Sequence, residues 1–272
     1  MIRPAILCIV CLGLFSGCGG STPASKQPLI IYAAASLNDA LQEAGMAYTD
    51  ATDKPLIFNF AGSGTLARQL MAAPRADAYI SASEQWMQIL EADSRVQERS
   101  RSLLLSNQLV LVAHPQSTYT LESPKELAAV PFRYLALGDP AYVPAGAYAK
   151  VWLEGLPAVD DSSLWTAMQG RLSPTPDVRA ALVQVETNRD AIGVVYRSEW
   201  MARQARSRLI YEVPLADGPA IRYEAAILKG SSQKDATQAF LEYLQSTEAA
   251  AIFRRHGLIP LSDLSMQEAE TS

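Results

Sequence analysis

Beyond residue 18 the sequence has no cysteine: all three, Cys8, Cys11 and Cys18, fall in the opening segment. That excludes an internal disulfide and a thiolate metal site from the rest of the chain. Histidine is nearly as scarce, with two in 272 residues, His114 and His256. No cluster of His, Cys and carboxylate residues has the spacing of a metal site, which disfavours a bound cation. Clusters of lysine or arginine are absent, and the formal net charge is −5. A nucleic-acid partner, which needs a basic face, is disfavoured on that ground. The apolar run from Ala5 to Phe15 falls short of the ~20 residues that a bilayer-spanning helix needs. Low complexity is missing too: 49% of residues are hydrophobic, 19% are charged and the 16 prolines are dispersed, the composition of an ordinary globular chain.

What is present begins with "MIRPAILCIVCLGLFSGC". A single positive charge at Arg3, an apolar stretch and then small residues form the layout of a secretory signal peptide. The close of this segment, "LFSGC", resembles the lipobox of bacterial lipoproteins, which implies lipidation of Cys18 as the new N-terminus. Phe15 stands where that pattern more often has leucine, and a plain signal peptide cut elsewhere is the alternative. The expectation is a leader over 1–17 and a flexible tether over 18–28, containing "GGSTPASKQP".

From Leu29 onward, apolar strands alternate with helical stretches. "LIIYAA" precedes "SLNDALQEAGMAYTDA", "PLIFNF" precedes "GTLARQLMAA", and "ADAYISA" precedes "SEQWMQILEA". This alternation predicts an α/β fold with parallel sheets flanked by helices. "NQLVLVAH", "YLALGDP", "AIGVVY", "LIYEVP" and "RYEAAIL" read as further strands, and the region from Gln233 to Arg255 as a long helical one, stopped by "HGLIP". The length suits two lobes of about 100–150 residues with a cleft between them.

Two strand-to-helix corners are alike: "AAAS" at 33–36 and "AGSG" at 61–64. At such a corner the unpaired N–H groups and the positive end of the helix dipole point the same way, which suits an anion. Small side chains leave the backbone open to a ligand, and Ser36 and Ser63 each add a hydroxyl. The competing reading is that both serines merely cap their helices. "VPAGAYAK" and "DVRAAL" start further helices without bulk at the first turn, and Tyr196 closes the strand "GVVY". An enzyme is the other class considered. For a serine hydrolase, "AGSGT" would need glycine at 61 and 65, where Ala61 and Thr65 stand, and a catalytic base is wanting. No catalytic residue is assigned.

"YAAASLNDAL", "FAGSGTLARQLMAAPRADAYISASEQWM", "GDPAYVPAGAYAK", "DVRAALVQVETNRDAIGVVYRS" and "AAAIFRRHGL" follow one another in an order and spacing similar to those of periplasmic molybdate-binding proteins of ABC transporters. The resemblance runs from about Leu29 to Leu258. It implies a two-lobed periplasmic-binding-protein fold, each lobe a mainly parallel sheet flanked by helices, with a tetrahedral oxyanion held in the cleft by neutral donors. Residue by residue it points to Ser36, Ser63, Ala145, Val178 and Tyr196, with Ala145 and Val178 acting through backbone N–H. Gly62, Gly64 and Arg197 depart from the pattern, the glycines removing hydroxyls that relatives often carry there. The lobes are expected at 29–111 plus 224–272 and at 112–223, joined near Val112 and Tyr223. The implied ligand is molybdate or tungstate, with molybdenum taken as an oxyanion and neither a metal cation nor a cofactor. The implied partner is an ABC permease in the inner membrane. The implied location is the periplasm or cell envelope, with the chain a lipid-anchored monomer. Sulfate or another small anion on the same fold is the alternative ligand.

Overall fold

The computed structural model describes residues 27–158 and 162–264; the leader, Cys18 and all but the last two residues of the tether lie outside the described residues. Eleven strands and nine α-helices are formed among them. The strands are β1 (Leu29–Ala34), β2 (Leu56–Ala61), β3 (Ala78–Ser81), β4 (Ser102–Asn107), β5 (Leu109–Ala113), β6 (Tyr134–Gly138), β7 (Leu172–Thr175), β8 (Ala191–Tyr196), β9 (Arg208–Glu212), β10 (Ile221–Ile227) and β11 (Ile259–Pro260). The helices are α1 (Asn38–Thr52), α2 (Ser63–Ala72), α3 (Glu84–Ala92), α4 (Pro144–Glu154), α5 (Leu164–Met168), α6 (Val178–Thr187), α7 (Arg197–Ala202), α8 (Lys234–Tyr243) and α9 (Thr247–Arg255).

Two sheets result, ordered β11-β4-β10-β3-β1-β2 and β7-β6-β8-β5-β9. Both are mixed. β1 pairs in parallel with β2 and β3, and β6 with β7 and β8, while β4, β5, β9, β10 and β11 add antiparallel ladders. The parallel part is where helices cross between strands, and its central strands are apolar on both faces, as sheets covered on both sides require. β8, "AIGVVY", is buried at every position; the antiparallel β5, "LVLVA", is buried throughout as well.

The chain passes between the sheets twice. One passage is Gln108 alone, between β4 and β5; the other is 213–220, between β9 and β10. Val112 lies in β5 and Tyr223 in β10, the strands that flank these passages. Two strands carry little sequence signal. β4 is one, and β7 contains Pro174, which lacks the N–H a central strand must donate; it is accommodated because β7 is an edge strand. The helical region from Gln233 to Arg255 is two helices, because the Ser246 hydroxyl accepts from the N–H of Ala249 at 3.2 Å and starts α9 afresh.

The end of α9 is set by Gly257, at φ +75°. Its N–H reaches the Arg254 carbonyl, and that of Leu258 reaches the Phe253 carbonyl, both at 3.0 Å. This left-handed closure suits glycine, and a Cβ there would stand 2.5 Å from Met201 Sδ.

Candidate functional site

Five strand ends converge on one cavity. β1 runs into a 3-10 turn, Ala35–Leu37, that carries Ser36, and β2 runs through Gly62 into Ser63 at the start of α2. From the other sheet, β6 leads to α4 and Ala145, β7 leads through Asp177 to α6 and Val178, and β8 ends at Tyr196. All are the carboxyl ends of strands in the parallel parts of the sheets, where α/β folds place ligands. The cavity is lined by these five residues together with Ala34, Ala35, Gly62, Ala82, Val143, Pro144 and Asp177. Ser36, Ser63, Ala145, Val178 and Tyr196, the residues to which the resemblance points, are all brought there; Cys18 lies outside the described residues.

Neither serine caps a helix. α1 and α2 have Leu37 and Gly62 at their N-cap positions, with no side-chain cap. Instead, Ser63 Oγ accepts from the Ala82 N–H at 3.1 Å, so its own proton is left for another acceptor. Ser36 Oγ sits 2.9 Å from the phenol oxygen of Tyr223. Tyr223 Oη accepts from Asn107 Nδ2 at 3.0 Å, and the same nitrogen donates to Ser198 Oγ at 2.8 Å. The first turns of α2 and α4 have no side-chain cap, so the N–H groups of Ser63 and Ala145 are not taken by one. α6 is capped by Asp177, which takes the Ala180 N–H at 2.8 Å and leaves that of Val178 unused by the cap.

Tyr196 is 1% exposed, and its hydroxyl has no hydrogen-bond partner among the described residues. Burial pushes its ionisation well above that of an ordinary phenol, so it stays a donor near neutral pH. The arrangement is a small, half-open chamber whose wall carries three hydroxyls, of Ser36, Ser63 and Tyr196. Lysine and arginine are not among its lining residues, and the one carboxylate, Asp177, spends an oxygen on its helix cap.

Arg179, next in sequence to Val178, does not line the chamber. Its guanidinium bonds Asp39 Oδ2 at 2.8 Å on α1 and Glu199 Oε2 at 3.2 Å on α7, tying the two halves together. Arg197 likewise is directed elsewhere, to Glu212 at 2.9 Å; the reason is that the strand ends at Tyr196 and a helix begins. Gly62 and Gly64 have structural grounds. A Cβ at Gly64 would stand 2.6 Å from the Trp86 ring and 2.8 Å from the Tyr142 carbonyl across the cleft, and one at Gly62 3.3 Å from that of Pro176.

Glu199 is fully buried, and burial raises its pKa to about 7, although Arg179 pulls it down. A carboxyl whose folded pKa lies above its ordinary 4.5 adds stability that is complete below that ordinary value and lost as pH rises through about 7. Unfolding free energy is therefore expected to fall across this window, by on the order of 3 kcal/mol. Glu199→Gln should flatten that slope, as read from urea melts at several pH values. Parallel pH profiles for the two proteins would refute the assignment.

Asn107, Ser198 and Tyr223 were not legible as site residues. They stand 71, 162 and 187 positions from Ser36 in sequence, and neither a strand-end asparagine nor a mid-strand tyrosine has a distinguishing pattern.

Comparison with known proteins gives a consistent picture. The family profile described as bacterial extracellular solute-binding protein matches residues 29–259. The molybdate-binding protein ModA of Escherichia coli (strain K12) is 33% identical over 256 residues, covering 90% of this chain and 96% of that protein. The putative ABC transporter substrate-binding lipoprotein YvgL of Bacillus subtilis (strain 168) is 32% identical over 249 residues, covering 90% and 92%. Among solved structures, the periplasmic molybdate-binding protein of Azotobacter vinelandii superposes with a TM-score of 0.74 at 19% identity, over 85% of this chain and 98% of that one. That last likeness concerns the fold.

Proposed function

Because this chain belongs to the bacterial extracellular solute-binding protein family, we propose that it captures molybdate, and also tungstate, between its halves and delivers it to an ABC permease. One observation carries the reading: Ser36, Ser63, Ala145, Val178 and Tyr196, from five strand ends of two sheets, line one chamber with no lysine or arginine in its wall. A desolvated dianion is costly to bury. Hydrogen bonds to a charged group contribute about 1.5–3 kcal/mol each, so five neutral donors offset that cost without a counter-ion. The donor set also disfavours oxyanions that keep a proton, since such a proton needs an acceptor. The molybdate-binding relative from Escherichia coli supports the choice of ligand.

On this reading the lobes follow the sheets, and closure is a hinge motion about Gln108 and 213–220, with the serines on one lobe and Ala145, Val178 and Tyr196 on the other. The chain acts outside the cytoplasm as a monomer, held to the membrane by a lipid on Cys18; the lipoprotein relative from Bacillus subtilis supports the anchor. Transport, and no chemical conversion, is the role.

Calorimetric titration of the mature chain with molybdate, tungstate, sulfate and phosphate tests the ligand. Molybdate at one hundred times its dissociation constant should raise unfolding free energy by about 2.7 kcal/mol. Heat from sulfate alone, with silence from molybdate, would replace the ligand; silence from every oxyanion would remove the function.

A further inference from the structure

Behind Ser36 lies a hydrogen-bonded chain whose direction is determined. Asn107 Oδ1 accepts from the backbone N–H of Gln108 at 2.9 Å, and a backbone nitrogen only donates, so the amide cannot be turned around. Both protons of Nδ2 are consequently committed, one to Ser198 Oγ at 2.8 Å and one to Tyr223 Oη at 3.0 Å. Tyr223 is fully buried. With a lone pair taken by Asn107, its own proton has Ser36 Oγ, at 2.9 Å, as its hydrogen-bond partner; the opposite sense would strand a buried O–H.

Resting on the oxyanion reading above, we propose that Asn107 and Tyr223 are positioning residues that fill Ser36 Oγ as an acceptor and so reserve its proton for the ligand, tuning the site towards fully deprotonated oxyanions. Asn107 precedes Gln108, the one-residue passage between the sheets, and through Ser198 it also reaches α7. The relay therefore joins the passage to the site.

The test reverses the relay. In Asn107→Asp the carboxylate takes the Tyr223 proton, leaving a phenol lone pair that competes for the proton of Ser36. Molybdate and hydrogenphosphate carry the same charge at mildly alkaline pH, so the added negative charge cancels in the ratio of their affinities. That ratio should fall by at least about tenfold in Asn107→Asp. Adding Tyr223→Phe should not restore it, because Ser36 Oγ then has no donor filling it and is free to accept the proton of hydrogenphosphate. An unchanged ratio in Asn107→Asp, or a wild-type ratio in the double variant, overturns the relay. If the variant fails to fold by urea melt, neutron diffraction of the wild type with molybdate decides: deuterium between Tyr223 and Ser36 must belong to the tyrosine, and the reverse overturns it. A wild type that answers sulfate in place of molybdate has its ratio taken with sulfate, whereas one that binds no oxyanion removes both readings.

Discussion

Gly146→Ala is expected to destabilise the chain by about 3 kcal/mol or more and to cut molybdate affinity by at least about a hundredfold. The methyl carbon would stand 1.7 Å from the Gly138 carbonyl oxygen, 2.5 Å from its carbon and 3.1 Å from the nitrogen of Pro140. These are backbone atoms, so no rotamer change relieves the overlap. The first turn of α4 must lift off the end of β6 by more than an ångström, roughly the margin within which a hydrogen bond is kept or lost. Since Ala145 belongs to that turn, its N–H leaves the chamber along with the helix. Gly230→Ala is the control, because a Cβ there meets nothing within 4 Å and should change stability by under about 0.5 kcal/mol. Urea midpoints and titrations of both variants are the measurement. A Gly146→Ala protein with wild-type midpoint and affinity would mean that α4 does not sit where it is described.

Tyr196→Phe is expected to move affinity and stability in different senses. The phenol oxygen is buried with no protein partner, so removing it takes nothing from the unliganded chain and relieves a buried polar atom. The ligand, however, loses a charge-assisted bond, for which about 1.5–3 kcal/mol, or about ten- to a hundredfold in dissociation constant, is the expected loss. The thermal midpoint of the free protein should stay level or rise, while the midpoint gained on adding molybdate shrinks. A loss of affinity below about threefold would place the ligand away from Tyr196. Lower stability without ligand would show that the hydroxyl has a partner in the protein.

The parallel units were readable because each places an apolar strand beside a helix with a distinct period, as in "LIIYAA" before α1 or "PLIFNF" before α2. β7 escaped because Pro174 argues against a central strand, and only the sheet order shows that it is an edge. Ser36 and Ser63 drew notice through the small residues around them, yet the sequence left helix capping open as an equal explanation. The structure closes that alternative by giving Ser63 Oγ to Ala82 and Ser36 Oγ to Tyr223. Ala145 and Val178 have side chains that say nothing of their backbone N–H groups, and they were reached through family resemblance.

By itself the sequence determined the alternation of strands and helices, the corners kept free of bulk, and the absence of histidine, cysteine and basic clusters from which other sites are built. These are local properties, set by residue type and short-range spacing. Only the tertiary structure decided that five strand ends meet in one chamber, that Arg179 is bound by Asp39 and Glu199 away from it, and that Asn107 and Tyr223 stand behind Ser36. Hydrogen-bond direction depends on which donors and acceptors lie within about 3 Å, and that is settled by how the two sheets fold together across well over a hundred residues of chain.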